Sequence, residues 1–120
     1  VVKGVAASKT PYVPRAGDIV WLDFDPQAGR EQAKRRPALV VTEQSYNRAS
    51  GLMVVCPLTS RRKSYPFALP VSVDKVEGAV LVDQVKSLDW RARKAAFHSK
   101  ADVGLLAKVR AYLGVLLGIG

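Results

Sequence analysis

The chain has 120 residues, 48% hydrophobic and 24% charged, which suits one globular domain and excludes a disordered segment. No uninterrupted apolar run of about 18 residues occurs, so no membrane-spanning helix is expected. Nineteen Lys and Arg against ten Asp and Glu give a net charge of +9, which favours a negatively charged partner such as nucleic acid. Residues 1–11 lack the long apolar core of a secretory signal and read as a flexible tail; residues 12–120 read as a single domain. In DIVWLDFD, 18–25, Val20, Leu22 and Phe24 alternate with Ile19, Trp21 and Asp23, the period of a strand. Trp21 reads as core rather than as a stacking platform. Asp25-Pro26 ends the strand, because Pro donates no ladder hydrogen bond. The loop QAGREQAKRRP, 27–37, then gathers Arg30, Lys34, Arg35 and Arg36 around one acid, Glu31.

PALVVTE, 37–43, is a continuous apolar run of the kind buried on both faces. SYNRASG, 45–51, reads as a polar connector with room for one helical turn. LMVVCPL, 52–58, is the next strand; Cys56 within it reads as a buried, inert thiol. It is the only cysteine, so no intrachain disulfide forms, which fits a reducing cytoplasm. After the basic loop TSRRKS, the segments 67–74 and 78–85 read as paired strands across a turn at 75–77. SLDWR and KAAFHS are further short strands. From Asp102, Val103, Leu106, Val109, Leu113 and Leu116 recur at helical spacing, widened by Leu105, Tyr112 and Leu117. This predicts a helix over 102–117, ended by Gly118, with Ser99 and Asp102 echoing a capping box. The apolar end LGVLLGIG either packs into its own core or meets a second subunit. Five to seven short strands and one terminal helix indicate a small, mainly β barrel.

The basic residues cluster. Four lie in 27–37, three in Arg61-Arg62-Lys63 and four in 86–94 (Lys86, Arg91, Arg93, Lys94), as expected if loops converge on one face. One His and one Cys make no metal cluster, and His98 reads as solvated or locally bonded rather than as a general base. Asp23 and Asp25 share a strand face, but an Asp-Pro turn explains them better than a metal. What remains is Glu31, Arg36 and Thr59 among dense cations. RNA carries its own nucleophile, the 2′-hydroxyl. Cleaving it requires positioning that oxygen, removing its proton, protonating the leaving 5′-oxygen and stabilising a charged phosphorane. An Arg fork, a Thr hydroxyl and a carboxylate are sufficient for this without a metal.

Several motifs in order carry a resemblance: GDIVWLDFDP, G-x-EQ (Gly29, Glu31, Gln32), RPALVV, PLTS, KSYPF and DQVKSLDWRAR. Over residues 12–118 the chain resembles the MazF/PemK family of toxin endoribonucleases. The resemblance implies an SH3-like barrel with a C-terminal helix and a homodimer in the cytoplasm. It implies metal- and cofactor-independent cleavage of single-stranded RNA at short specific sequences. It also implies an antitoxin whose acidic C-terminal segment blocks the RNA groove. By motif, Arg36 and Thr59 take catalytic roles. Glu31 joins them, either as the base or as the carboxylate that orients Arg36. Gln84 stands where relatives contact bases. Arg30, Gln32, Lys34, Arg35, Arg61, Arg62 and Lys86 are the further expected RNA contacts. Phe67 and Trp90 lie beside basic loops, where either can stack on a base or simply pack; Phe67 is the candidate stacking ring. Two other functions remain open on this scaffold: a toxin that poisons DNA gyrase by protein contact, and a plain RNA-binding barrel.

Overall fold

Two continuous apolar runs need cover on both faces, and the architecture supplies it. A computed structural model describes residues 11–24, 35–61 and 64–120. Strands β1 (Asp18–Asp23), β2 (Arg35–Val40) and β3 (Leu52–Thr59) form consecutive antiparallel pairs. Alternate residues enter two cores. Ile19, Leu39, Val41, Cys56 and Leu58 pack on one side with Val109 of the terminal helix. Val20, Leu22, Ala38, Val40, Met53 and Val55 pack on the other with Leu88 and Trp90. The double-sided burial expected of 37–43 holds at 38–41, with one core per face, while the strand ends at Val40 and Glu43 is exposed.

Helix α1 (Gln44–Ser50) connects β2 to β3, longer than the single turn expected, and Gly51 ends it at φ 77°. Its fully buried Asn47 explains why a polar segment folds here. Asn47 Nδ2 donates to the carbonyls of Pro14 (2.9 Å) and Thr42 (3.1 Å), and its Oδ1 accepts from Thr42 Oγ1 (2.6 Å). Its backbone carbonyl accepts from Trp90 Nε1 at 2.8 Å, which settles Trp90 as core. The segment before β1 is tied down as well. Buried Asp18 accepts from Tyr12 Oη (2.5 Å) and from the Arg15 amide (3.1 Å).

Strands β4 (Ala68–Val73) and β5 (Val76–Leu81) form a hairpin. Its turn is Asp74-Lys75, two residues with φ of 54° and 65°, rather than the 75–77 turn expected. Both values are positive, the mark of the type I′ turn that matches strand twist. Residues Val82–Gln84 form a 3₁₀ turn where a strand was expected. That break lets the chain change position along β3. Strand β5 pairs with the end of β3 at Leu58 and Thr59, and β6 (Lys86–Asp89) pairs with its start at Leu52–Val55. Strand β7 (Ala96–Lys100) pairs with β1, giving the order β4-β5-β3-β2-β1-β7. The result is a curled antiparallel half-barrel.

Helix α2 (Val103–Leu117) closes the chain, with Asp102 as N-cap and Gly118 at φ 77° as C-cap. Ser99 bonds His98 instead of completing a capping box. Val109 is fully buried, and Leu105, Leu106, Tyr112 and Leu113 pack around it. Arg110 fastens the helix by donating to the Val41 carbonyl (2.7 Å) and to Glu43 (3.0 Å). The apolar end is not deep in its own core: Leu117 is 64% and Ile119 80% exposed, and Val115 and Leu116 are exposed too.

Candidate active site

Strand β2 starts at Arg35 and β3 ends at Thr59. Their ladder runs from Val40–Val55 to Ala38–Pro57, and Arg36 and Thr59 lie two residues beyond its end, one on each strand. Both line an open cleft of about 690 Å³. Trp21 of β1, Arg61, Gln84 of the 3₁₀ turn, His98 of β7 and the tip of the β4–β5 hairpin complete its walls.

The two adjacent arginines have different surroundings. Arg35 donates to Asp23 (3.0 Å), to the Trp21 carbonyl (3.2 Å) and to the Lys94 carbonyl (2.7 Å). Its fork is occupied in joining β1 and β2 to the turn before β7. Among the described residues no hydrogen bond or ion pair engages exposed Arg36. A guanidinium held on a rigid strand, with no donor engaged among the described residues, is suited to grip phosphate oxygens.

Thr59 is held from two sides. Its Oγ1 accepts from the Arg61 amide at 3.2 Å. Behind it, Gly78 of β5 approaches so closely that a Cβ there would lie 2.0 Å from the Thr59 carbonyl oxygen. Only glycine fits that approach.

Trp21 contradicts the core reading. Val20 and Leu22 on either side are fully buried, yet Trp21 is 37% exposed and lines the cleft. His98 packs edge-on against it, with ring centroids 5.2 Å apart. Both His98 nitrogens are engaged, Nδ1 with Ser99 Oγ (2.8 Å) and Nε2 with Asp74 (2.9 Å), so this histidine is locally bonded as expected. Cys56 lies fully buried in the core, where burial and then the charge of Asp83 push its thiol up to about 12, consistent with an inert side chain.

A family model for PemK-like, MazF-like toxins of type II toxin–antitoxin systems matches residues 15–117. The chain belongs to the MazF/PemK toxin family. It is 42% identical over 107 residues to the endoribonuclease toxin MazF of Escherichia coli K12, covering 89% of this chain and 96% of that protein. A crystal structure of MazE–MazF from Deinococcus radiodurans superposes with a TM-score of 0.84 at 51% identity, covering 92% of this chain and 100% of that one. MazF alone from the same organism gives 0.80 at 52% identity, covering 90% and 99%. The half-barrel with its C-terminal helix is thus the MazF fold, and this MazF/PemK member is an enzyme of the endoribonuclease class.

Within that family frame, the structure brings Arg35, Arg36, Thr59, Arg61 and Gln84 to one cleft. Arg30, Glu31, Gln32, Lys34 and Arg62 lie outside the described residues. Two expected RNA contacts sit elsewhere. Phe67 is half-buried against the core, edge-on to Tyr112 at 6.1 Å. Lys86 lies over the Phe24 ring at 5.1 Å and does not line the cleft. The basic cluster at 86–94 does not converge on the cleft either. Arg91 covers the Trp90 ring, and Arg93 donates to the Phe24 carbonyl at 2.7 Å. Sequence reasoning missed Gly78, Asp74 and the exposure of Trp21. A lone Gly inside a strand pattern was the available signal for the first.

Proposed function

We propose that the cleft binds single-stranded RNA and cleaves it by attack of the 2′-oxygen on the adjacent phosphorus. The observation that carries this is that Arg36, unengaged among the described residues, lines the same cleft as Thr59. As the 2′-O–P bond forms, the hydroxyl proton passes to a base and charge builds on the nonbridging oxygens. The P–O5′ bond then breaks and the 5′-oxygen leaves with a proton. The products are a 2′,3′-cyclic phosphate and a 5′-hydroxyl, and no metal is required. A guanidinium stays protonated at neutral pH, so Arg36 stabilises the phosphorane and Thr59 bonds a phosphate oxygen. Glu31 is the base, or the carboxylate that orients Arg36; it belongs to the segment joining β1 to β2. Gln84 reads a base edge from the same cleft, and the exposed face of Trp21 offers a stacking surface.

The partners follow from the same surface. A cleft shaped for phosphates also attracts carboxylates, and the Deinococcus relative was crystallised with MazE. A cognate antitoxin with an acidic segment therefore competes with RNA here. The exposed apolar end of α2 supports a homodimer. Among the described residues no helix is long and apolar enough to cross a membrane, compatible with action on mRNA in the cytoplasm. A protein-docking toxin has no use for a phosphate-gripping guanidinium beside a Thr in one cleft, which disfavours the gyrase-type reading.

The test is digestion of a long single-stranded RNA in EDTA, followed by mapping of the ends. Cyclic phosphate and 5′-hydroxyl termini are expected. Arg36→Ala and Thr59→Ala should each lower kcat by about 100-fold or more, with unchanged circular dichroism. RNA left intact across varied sequence contexts would overturn the proposal.

A further inference from the structure

Strands β4 and β7 stand at opposite ends of the sheet, and among the described residues no backbone ladder joins them. A side-chain contact crosses this seam. His98, in the middle of β7, places Nε2 2.9 Å from Oδ2 of Asp74, the residue that follows β4. Both residues line the cleft.

The hairpin rests on the core through Val71 and Val73, but its ladder to the rest of the sheet is short. Strand β5 pairs with β3 at Leu58 and Thr59, through Val80 and Ala79, while the turn lies beyond that ladder at Asp74-Lys75. The His98 end is rigid. Ser99 Oγ holds Nδ1 at 2.8 Å, the Trp21 indole stands edge-on, and the His98 side chain is only 13% exposed. With Nδ1 accepting from the Ser99 hydroxyl, Nε2–H donates to Asp74 and both ring nitrogens are satisfied. The Asp74 end is aimed by its backbone, since φ of 54° turns the residue out of the strand.

We propose that His98 and Asp74 form a clasp that fixes the spacing between the hairpin wall and the Trp21 wall, and so sets how firmly the cleft holds an extended RNA strand. This rests on the RNA-cleaving reading and deepens it. Both are positioning residues. They act on substrate binding through the width of the cleft, not on the reacting phosphate.

The test uses the full chain and a short single-stranded RNA carrying a site cut by the unmodified protein. Asp74→Gly keeps the turn, because glycine accepts positive φ, and deletes the acceptor. It should raise KM about fivefold while kcat stays within about twofold. Asp74→Asn retains an oxygen that accepts the Nε2–H and should remain within about twofold of the unmodified enzyme in both constants. A His98→Ala/Asp74→Gly double variant should be no worse than the poorer single one, since both remove the same contact. Equal behaviour of the Gly and Asn variants, additive losses, or a fall in kcat at constant KM would overturn the clasp. A second readout needs no RNA. His98→Ala leaves the hairpin sequence intact, and amide exchange at residues 73–76 should quicken about tenfold. If the unmodified protein cuts no RNA, the functional reading fails, yet this exchange still decides the clasp; unchanged exchange refutes it.

Discussion

Arg35 and Arg36 are neighbours in sequence with opposite fates. Charge counting treats them as equal cations in one basic loop. What separates them is a carbonyl at Lys94, 59 residues away, which accepts from Arg35 and consumes its fork. No local pattern encodes that partner, so the sequence reading could mark the basic loop but not the spare guanidinium within it. Trp21 escaped for a related reason. Period-2 alternation says which face a residue occupies, but not where along the strand the cover on that face stops. Cys56 was readable, since an apolar run on both sides leaves a thiol little chance of reaching water. Its raised pKa fixes a pH dependence. Below the ordinary value of 9.0 both folded and unfolded chains keep the proton, and the thiol's contribution is complete. Between there and about 12 the unfolded chain releases it while the folded chain does not, so stability falls as pH rises. Thermal midpoints measured from pH 8 to 11 should drop less steeply in Cys56→Ala than in the unmodified protein.

At the scale of elements, β3 and α2 were legible nearly to their ends, because eight consecutive strand residues and a repeated helical stripe leave few alternatives. The hairpin turn was misplaced, because Asp-Lys carries none of the usual Asn-Gly signature of a type I′ turn. That makes Lys75 improvable. With φ of 65° it occupies a conformation that favours glycine, and Lys75→Gly should stabilise the fold by about 0.5–1 kcal/mol in urea titrations. The opposite holds at Gly78, where β5 presses on the backbone of Thr59. Gly78→Ala must push the two strands apart. It should cost about 1–3 kcal/mol of stability and lower kcat about tenfold, through displacement of Thr59. Steady-state cleavage on protein shown to be folded by near-UV circular dichroism checks this. The buried Asn47 inside α1 was illegible for the reason Arg35 was: its partners, Pro14 and Trp90, lie 33 and 43 residues away.

At the scale of the whole molecule, the net charge of +9 is the one property the sequence states outright, and it bears on binding rather than on fold. If the cleft and its flanking cations engage about four phosphates, log K against log salt should have a slope near −3 for a single strand. Arg36→Ala should flatten that slope by about 0.7, and fluorescence anisotropy at several salt concentrations measures both. The family frame was readable because its motifs fall in order along nearly the entire chain. The cleft's exact membership was not, because it is assembled from strand ends that meet only after the sheet curls.

That assembly has a consequence for how such a protein is made. The walls run from Trp21 to His98, so they draw on most of the polypeptide. A ribosome that stalls or meets a premature stop before His98 releases a fragment lacking α2 and one wall of the cleft. On the RNA-cleaving reading, activity therefore arrives late in synthesis, and shorter products lack it.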